Sequence, residues 1–165
     1  SRVLLAGFGG GLMLEQARVL EADDPGLVAA NAARLAPRLL VIDDDHLHCT
    51  IICRVATRAG FAPVGAATYE AAAKLAQETT FDGMTLDLSL GAHAGVEMLR
   101  HLWVLGCKAP IIIISGCNDA MCHETVRIGK SLNLKIQEPV PKPVDLAMLR
   151  YSLERLRAQV QPRAA

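Results

Sequence analysis

Three aspartates follow apolar runs where strands are predicted to end. Asp43 and Asp44 come directly after residues 39–42, and Asp87 lies late in the apolar stretch of residues 81–90. In an open parallel α/β sheet the carboxyl ends of the strands meet at one edge, and ligands bind there. We therefore expect the three carboxylates to lie close together and Asp87 to be a candidate reacting group.

Crowded carboxylates repel one another and lose hydration, so this cluster needs a compensating cation. Mg²⁺ prefers oxygen ligands and commonly joins one or two carboxylates to phosphate oxygens. The sequence thus predicts a magnesium site formed by Asp43, Asp44 and Asp87. A phosphoryl group bound there would need another positive charge and a hydroxyl donor, which Lys142 and Ser115 could supply from the ends of two further strands.

Alternating strands and helices are predicted to position these residues. Strands are expected at residues 39–42, 61–66, 111–114 and 134–140, with another ending at Asp87; helices are expected from residue 45 to Gly60 and at residues 69–77, 95–105, 119–132 and 144–159. The apolar helix faces are predicted to be Leu47, Ile51 and Val55; Val96, Leu99 and Trp103; and Leu146, Leu149, Leu153 and Leu156. Such alternation implies a parallel sheet covered by helices on both faces.

The chain of 165 residues has the length of one domain. We assign residues 38–159 to that domain, residues 1–37 to an extension or linker with one or two short helices, and residues 160–165 to a tail. In residues 1–37, a strand and glycine turn faintly resemble a dinucleotide site, but Leu12 occupies the position of its third glycine. With no output domain after residue 159, we expect either action through protein contacts or a fragment of a longer protein.

Composition argues against several classes of partner. Lys and Arg together number 17, as do Asp and Glu, so no general field favours nucleic acid or anionic lipid. No apolar run reaches the roughly 18 residues of a membrane span. The odd number of cysteines, five, suits reduced thiols. We therefore expect a cytoplasmic protein that binds neither membranes nor nucleic acid directly.

Two clusters of histidine and cysteine raise the possibility of zinc. They are His46, His48 and Cys49, and Cys117, Cys122 and His123. Neither has the paired Cys-x₂-Cys spacing of structural zinc sites, so we predict surface histidines and core thiols instead. Asp45 stands before a helix and is interpreted as its N-cap.

Over about residues 38–156 the order of these residues resembles the receiver domain of two-component response regulators. The family features present are an acidic pair after the first strand (Asp43, Asp44), an aspartate after the third (Asp87), a Ser or Thr after the fourth (Ser115), a Lys-Pro after the fifth (Lys142, Pro143) and a glycine beyond the aspartate (Gly95). Each motif is weak alone, but together in this order they are specific.

The resemblance implies a flavodoxin-like, doubly wound parallel sheet of five strands in the order 2-1-3-4-5, with helices on both faces. It implies that Mg²⁺ binds at the aspartates and that Asp87 accepts a phosphoryl group from a histidine kinase or phosphotransfer protein, aided by Ser115 and Lys142. Such a domain promotes its own phosphorylation without being a turnover enzyme. It signals through contacts with a downstream protein target or an output domain.

The sequence departs from the family pattern at two positions. Gly91 stands where a proline is usual, and Pro139 stands where an aromatic switch residue is common. We also considered a phosphohydrolase with an aspartyl-phosphate intermediate, but such enzymes place a second aspartate where this chain has Ser89. The other alternative is a receiver-like binding scaffold, which the intact acidic pair, Ser115 and Lys142 disfavour.

Overall fold

The computed structural model describes residues 36–90, 93–116 and 119–160. Its strands are Arg38–Ile42 (β1), Ala62–Ala66 (β2), Gly83–Asp87 (β3), Ser89–Leu90 (β4), His93–Ala94 (β5), Ile111–Ser115 (β6) and Val140–Pro141 (β7). Its helices are His46–Arg58 (α1), Tyr69–Glu78 (α2), Gly95–Val104 (α3), Asp119–Ser131 (α4) and Leu146–Gln159 (α5). The predicted alternation of strands and helices is therefore confirmed within these residues.

The main sheet is parallel, with its strands in the order β2-β1-β3-β6-β7. When only these strands are counted, that is the predicted order 2-1-3-4-5. β1 and β3 are direct neighbours, with Ile42 opposite Leu86. Because the strands run the same way, the residues that follow each of them leave the sheet at the same edge.

Alternate residues of the strands form two apolar cores. On one face, Leu40, Ile42 and Leu86 belong to a cluster with buried residues of α2 and α3. On the other face, Leu39, Val41 and Ile112 belong to a cluster with buried residues of α1 and α5. Every residue of β6 is buried, as expected for a strand that is covered on both faces.

The predicted apolar faces of three helices are partly wrong. Leu47, Trp103 and Leu146 are 67%, 53% and 52% exposed. The buried residues are instead Ile52, Val55 and Ala56 in α1; Gly95, Met98, Leu99 and Leu102 in α3; and Leu149, Leu153 and Leu156 in α5. In α1 the predicted face is a strict four-residue repeat, and two such steps rotate a position by about 80° around the helix, so Leu47 drifts away from the core. Each of the three exposed residues also lies in the first or last turn of its helix.

The last strand is much shorter than the predicted residues 134–140. Only β7 pairs regularly with β6, and an isolated bridge joins Ile111 to Ile136. Proline has no N–H to donate to a ladder, so Pro139 and Pro141 limit the pairing of this edge strand. The antiparallel hairpin of β4 and β5, which flanks residue 91, was not predicted.

Helix ends follow the predicted local signals. The side chain of Asp45 accepts hydrogen bonds from the backbone N–H groups of Leu47 and His48, so Asp45 is the N-cap of α1. Gly60 follows the same helix with φ = +86°, a conformation that favours glycine. Within the described ranges, no helix combines the length and the apolar character needed to cross a membrane.

The proposed extension, residues 1–37, lies outside the described residues except for its last two positions, and the tail lies outside them except for Val160. Gly91 and Cys117 are also outside. The domain boundaries at residues 37 and 159 therefore stay a prediction.

We expect Gly95→Ala to lower the free energy of unfolding by about 1–3 kcal/mol. A Cβ atom at Gly95 would lie 2.9 Å from Leu88 Cα, a backbone atom that cannot rotate away. The Gly95 N–H also donates to the Leu88 carbonyl over 3.0 Å, which holds the two segments together. Urea denaturation of both proteins measures the difference.

Gly116→Ala is the matched control, because its added methyl group would meet Lys142 Cβ at an ordinary 3.5 Å. We expect this control to unfold within about 0.5 kcal/mol of the parent chain. If the Gly95 variant is as stable as the parent chain, the prediction is wrong, because the backbone at residue 88 then shifts at little cost to make room for the methyl group.

Candidate functional site

The structure brings Asp43, Asp44 and Asp87 together, as the sequence predicted. Asp43 directly follows β1, Asp87 ends β3, and the register of the two strands places these aspartates side by side. One carboxylate oxygen from each of the three aspartates lies within 4.8 Å of the others. Asp43 and Asp87 are buried, whereas Asp44 is exposed, so the cluster is open to solvent on one side.

Backbone hydrogen bonds orient the two buried carboxylates. Asp43 Oδ1 accepts from the N–H of Asp45 over 2.9 Å, and Asp87 Oδ1 accepts from the N–H of Ser89 over 3.1 Å. Each donor lies two residues beyond the aspartate that accepts its hydrogen bond: Asp45 directly precedes α1, and Ser89 begins β4. The Oδ2 atoms of both aspartates are thereby left to face Lys142.

Lys142 connects the two buried aspartates. Its Nζ lies 2.8 Å from Asp87 Oδ2 and 3.4 Å from Asp43 Oδ2. The N–H of Lys142 donates to the carbonyl of Ser115 over 2.9 Å, so the segment after β7 is joined to the end of β6. Ser115 itself is buried at the same edge of the sheet. The peptide bond from Lys142 to Pro143 is cis.

Burial and neighbouring charges shift the pKa values of Asp43 and Lys142. Burial raises the pKa of Asp43, and the nearby Asp87 adds to the rise against the hydrogen bond from Asp45 and the charge of Lys142. Burial by itself would lower the pKa of Lys142, but its hydrogen bond to Asp87 and the charges of Asp87 and Asp43 outweigh burial and raise that pKa. The Lys142 ammonium thus contacts two of the three carboxylates, those of Asp87 and Asp43.

The donor set fits a hard divalent cation. Three carboxylate oxygens within 4.8 Å can approach one ion, and Mg²⁺ or Ca²⁺ takes such ligands in preference to nitrogen or sulfur. A divalent ion would also add positive charge beside the three carboxylates. The buried, raised-pKa carboxylate of Asp43 is the group that gains most from this neutralisation.

Sequence reasoning missed the proximity of His48 to this site. Its Nδ1 lies 3.8 Å from Asp43 Oδ2, and that nitrogen is buried without a hydrogen-bond partner among the described residues. A usable signal was present, because His48 is in the first turn after the N-cap Asp45 and that turn begins at the carboxyl edge of the sheet.

The other singled-out residues are not part of the cluster. Among the described residues, the three aspartates are the one group that could bring three metal ligands together, so His46, His48 and Cys49 form no such group. The second set of histidine and cysteine includes Cys117, which lies outside the described residues. Pro139 is half-buried immediately before β7. Its effect on signalling stays a prediction.

We expect Asp43→Asn to raise the free energy of unfolding, in the absence of divalent cations, by on the order of 1 kcal/mol. The amide removes a buried charge but can still accept the N–H of Asp45, and Lys142 keeps its 2.8 Å contact with Asp87. Asp44→Asn, which removes the same charge at an exposed position, is the control, and its free energy of unfolding should rise less. Thermal unfolding in chelator measures all three proteins.

The extra stability of the Asp43→Asn variant should depend on pH. Because the folded state raises the pKa of Asp43 above its usual 3.8, the folded protein binds this proton more tightly, and its stability falls as pH rises through that window. The variant lacks this loss, so its advantage should appear at neutral pH and vanish in acid below pH 3.8. An advantage that is larger in acid would contradict the assignment.

Comparisons with known proteins agree on one family. A family model described as the response regulator receiver domain matches residues 39–154. No curated protein matches the chain significantly. Among solved structures, the Francisella response regulator 1452 receiver domain has a TM-score of 0.65 and 21% identity, and the match covers 74% of this chain and 98% of that one.

Two further structures show the same likeness. The chemotaxis response regulator CheY4 of Vibrio cholerae has a TM-score of 0.63 and 19% identity, with 73% of this chain and 98% of that chain covered. A response regulator from Burkholderia pseudomallei was solved with a phosphorylated aspartic acid, calcium ion and citrate. It has a TM-score of 0.61 and 24% identity, and the match covers 74% of this chain and 69% of that one. With the family match extending over most of the domain and the sheet order confirmed, this chain belongs to the response regulator receiver domain family of two-component signalling.

Proposed function

We propose that this receiver accepts a phosphoryl group on Asp87 from a phosphohistidine of a histidine kinase or phosphotransfer protein. The observation that carries the proposal is the position of Asp87, which lies within a cluster of three carboxylates and 2.8 Å from the ammonium of Lys142. A carboxylate in such surroundings can act as a nucleophile towards phosphorus, because its position is set and the charge that develops has a partner.

In the proposed transfer, a carboxylate oxygen of Asp87 attacks the phosphorus atom and the phosphorus–nitrogen bond to the imidazole breaks. The imidazole, which carries a proton on its other ring nitrogen, leaves with the bonding electron pair as a neutral ring. The hydrogen bond from the Ser89 N–H to Asp87 Oδ1 restricts the carboxylate before the donor arrives. This restriction lowers the entropic cost of reaching the reactive geometry.

Asp43, Asp44 and Asp87 would hold Mg²⁺. When bound, the ion neutralises charge on the phosphoryl oxygens, as magnesium does in phosphoryl transfer generally. The likeness to the Burkholderia regulator supports this proposal, since that structure contains both a phosphorylated aspartic acid and a calcium ion.

Lys142 and Ser115 act on the remaining phosphoryl oxygens in this proposal. Phosphorylation turns the Asp87 carboxylate into an acyl phosphate, so the charge that Lys142 contacts moves outwards onto the phosphoryl group. Ser115 ends β6 at the same edge and carries a hydroxyl donor. The N–H of Lys142 donates to the carbonyl of Ser115 over 2.9 Å, and this hydrogen bond lets the two segments move together.

The domain would act as a phosphoacceptor rather than a turnover enzyme. Ser89, two residues beyond Asp87, is exposed and has no carboxylate or amide to orient an attacking water. A long-lived phosphorylated form suits a cytoplasmic protein that signals through contacts with a downstream target or output domain. We further assign this activity to residues 38–159, with residues 1–37 as a separate extension and residues 160–165 as a tail.

Incubation with acetyl phosphate and Mg²⁺ should add a single phosphoryl group, measured by intact mass, at Asp87. Asp87→Asn and excess chelator should each abolish the addition, because one removes the nucleophile and the other the cation. Asp145→Asn, which changes an exposed helix cap of α5, is the control and should label as the parent does. Equal labelling of the Asp87 variant would refute the assignment.

Lys142→Ala should slow phosphorylation by about 100-fold or more, as expected when a charge partner of the transition state is lost. It should also lower stability in chelator, since it leaves Asp43 and Asp87 without their cation. Mg²⁺ should restore much of that stability but not the rate. Labelling rates and thermal unfolding, each with and without Mg²⁺, separate the two effects, and a rate that recovers fully with stability would make Lys142 a structural residue.

A further inference from the structure

A pair of thiols lies on α1, outside the carboxylate site. Cys49 and Cys53 are four residues apart, so they lie on the same side of the helix in consecutive turns. Both are half-buried, and both line an open cavity of about 450 Å³ between α1 and the edge strand β2. Neither residue has a role in the proposed phosphoryl transfer.

Gly65 of β2 makes room for the two sulfur atoms. A Cβ atom at this position would lie 2.7 Å from Cys49 Sγ and 3.9 Å from Cys53 Sγ, so any larger residue would displace the first thiol. The two thiols are close enough for each to affect the pKa of the other. The two sulfur atoms of α1 therefore lie next to Gly65 of β2, where the absence of a side chain leaves space for them.

A disulfide does not suit this pair. Side chains four residues apart on a helix have Cβ atoms about 5–6 Å apart, whereas a disulfide needs about 3.5–4.5 Å. A bridging atom between the sulfurs relieves that mismatch without unwinding α1. The pair is thus better suited to chelation than to oxidation.

The protonation of the thiols also disfavours redox chemistry. Burial raises the pKa of Cys49, and burial together with the neighbouring Cys49 raises the pKa of Cys53 to about 11. Reactive cysteines have lowered values, because the thiolate is the nucleophile. Here the thiolates form only when a cation displaces their protons.

We propose that Cys49 and Cys53 together bind one soft, thiophilic cation, Cu(I), through two thiolate sulfurs. Both thiol protons pass to solvent, the two copper–sulfur bonds form, and the copper keeps its oxidation state. Arg54 lines the same cavity and carries a positive charge that offsets the net negative charge of the bis-thiolate complex. This proposal does not rest on the proposed phosphoryl transfer.

The number of ligands favours Cu(I) over Zn²⁺. Structural zinc sites are almost always four-coordinate. In the part of the chain that the structure describes, the three aspartates are the one group with three or more potential ligands within 4.8 Å. His46 lines the cavity but does not complete such a group with the thiols. Soft thiolate ligands select Cu(I), and two of them suffice for it.

The test is an anaerobic Cu(I) titration of the full chain against a chromophoric Cu(I) chelator. A variant that keeps only Cys49 and Cys53, with Cys107, Cys117 and Cys122 changed to serine, should bind one Cu(I) as tightly as the parent. Cys49→Ser and Cys53→Ser should each weaken binding on the order of 10²- to 10⁴-fold, because chelation by two ligands on one rigid helix is lost. Affinity should also rise with pH, since two protons must leave.

Gly65→Ala tests the site with both cysteines in place. We expect this variant to bind Cu(I) more weakly, because the new methyl group occupies the place of Cys49 Sγ. Circular dichroism checks that every variant is folded. Three outcomes would each overturn the proposal. The first is unchanged Cu(I) affinity in both single cysteine variants, and the second is loss of Cu(I) binding in the variant that keeps only Cys49 and Cys53. The third is Zn²⁺ binding as tight as Cu(I) binding.

Discussion

The contact of Lys142 with Asp87 and Asp43 is the interaction on which the candidate site depends. Two buried carboxylates lie side by side because β1 and β3 are parallel neighbours, and a third aspartate follows directly. Without a cation, each carboxylate would raise the energy of the others. Lys142 supplies one positive charge from a segment that reaches the cluster only because β7 pairs with β6.

This arrangement keeps the site short of positive charge. The raised pKa of Asp43 is the local sign of that deficit, since burial and the charge of Asp87 outweigh what Lys142 and the Asp45 N–H contribute. A protein selected for stability alone would not bury an undercompensated carboxylate. Such strain is common where function needs a site that gains from binding a ligand.

The α1 helix connects two different kinds of ligand chemistry. Its N-cap Asp45 donates its own N–H to Asp43, so the start of the helix belongs to the oxygen site. Its middle turns carry the thiol pair that faces Gly65. Hard oxygen ligands and soft sulfur ligands select different cations, so the two regions can be occupied independently on one rigid element.

The sequence by itself determined the order of strands and helices, the N-cap at Asp45 and the residues that meet at the carboxyl edge, because these depend on local patterns and on the rule that parallel strands end at one edge. It did not determine which side of each helix is buried. Leu47, Trp103 and Leu146 are exposed, and each lies in the first or last turn of its helix.

Tertiary structure alone decided the finer arrangement. The distance of 3.8 Å between His48 and Asp43 depends on the angle at which α1 leaves the sheet edge, and the shared space at Gly65 depends on how closely α1 packs on β2. The shortness of β7 reflects the competition between its prolines and the pairing offered by β6. The space at Gly65 and the pairing of β7 with β6 arise from packing between separate elements of the chain. The periodicity of a sequence contains no information about such packing.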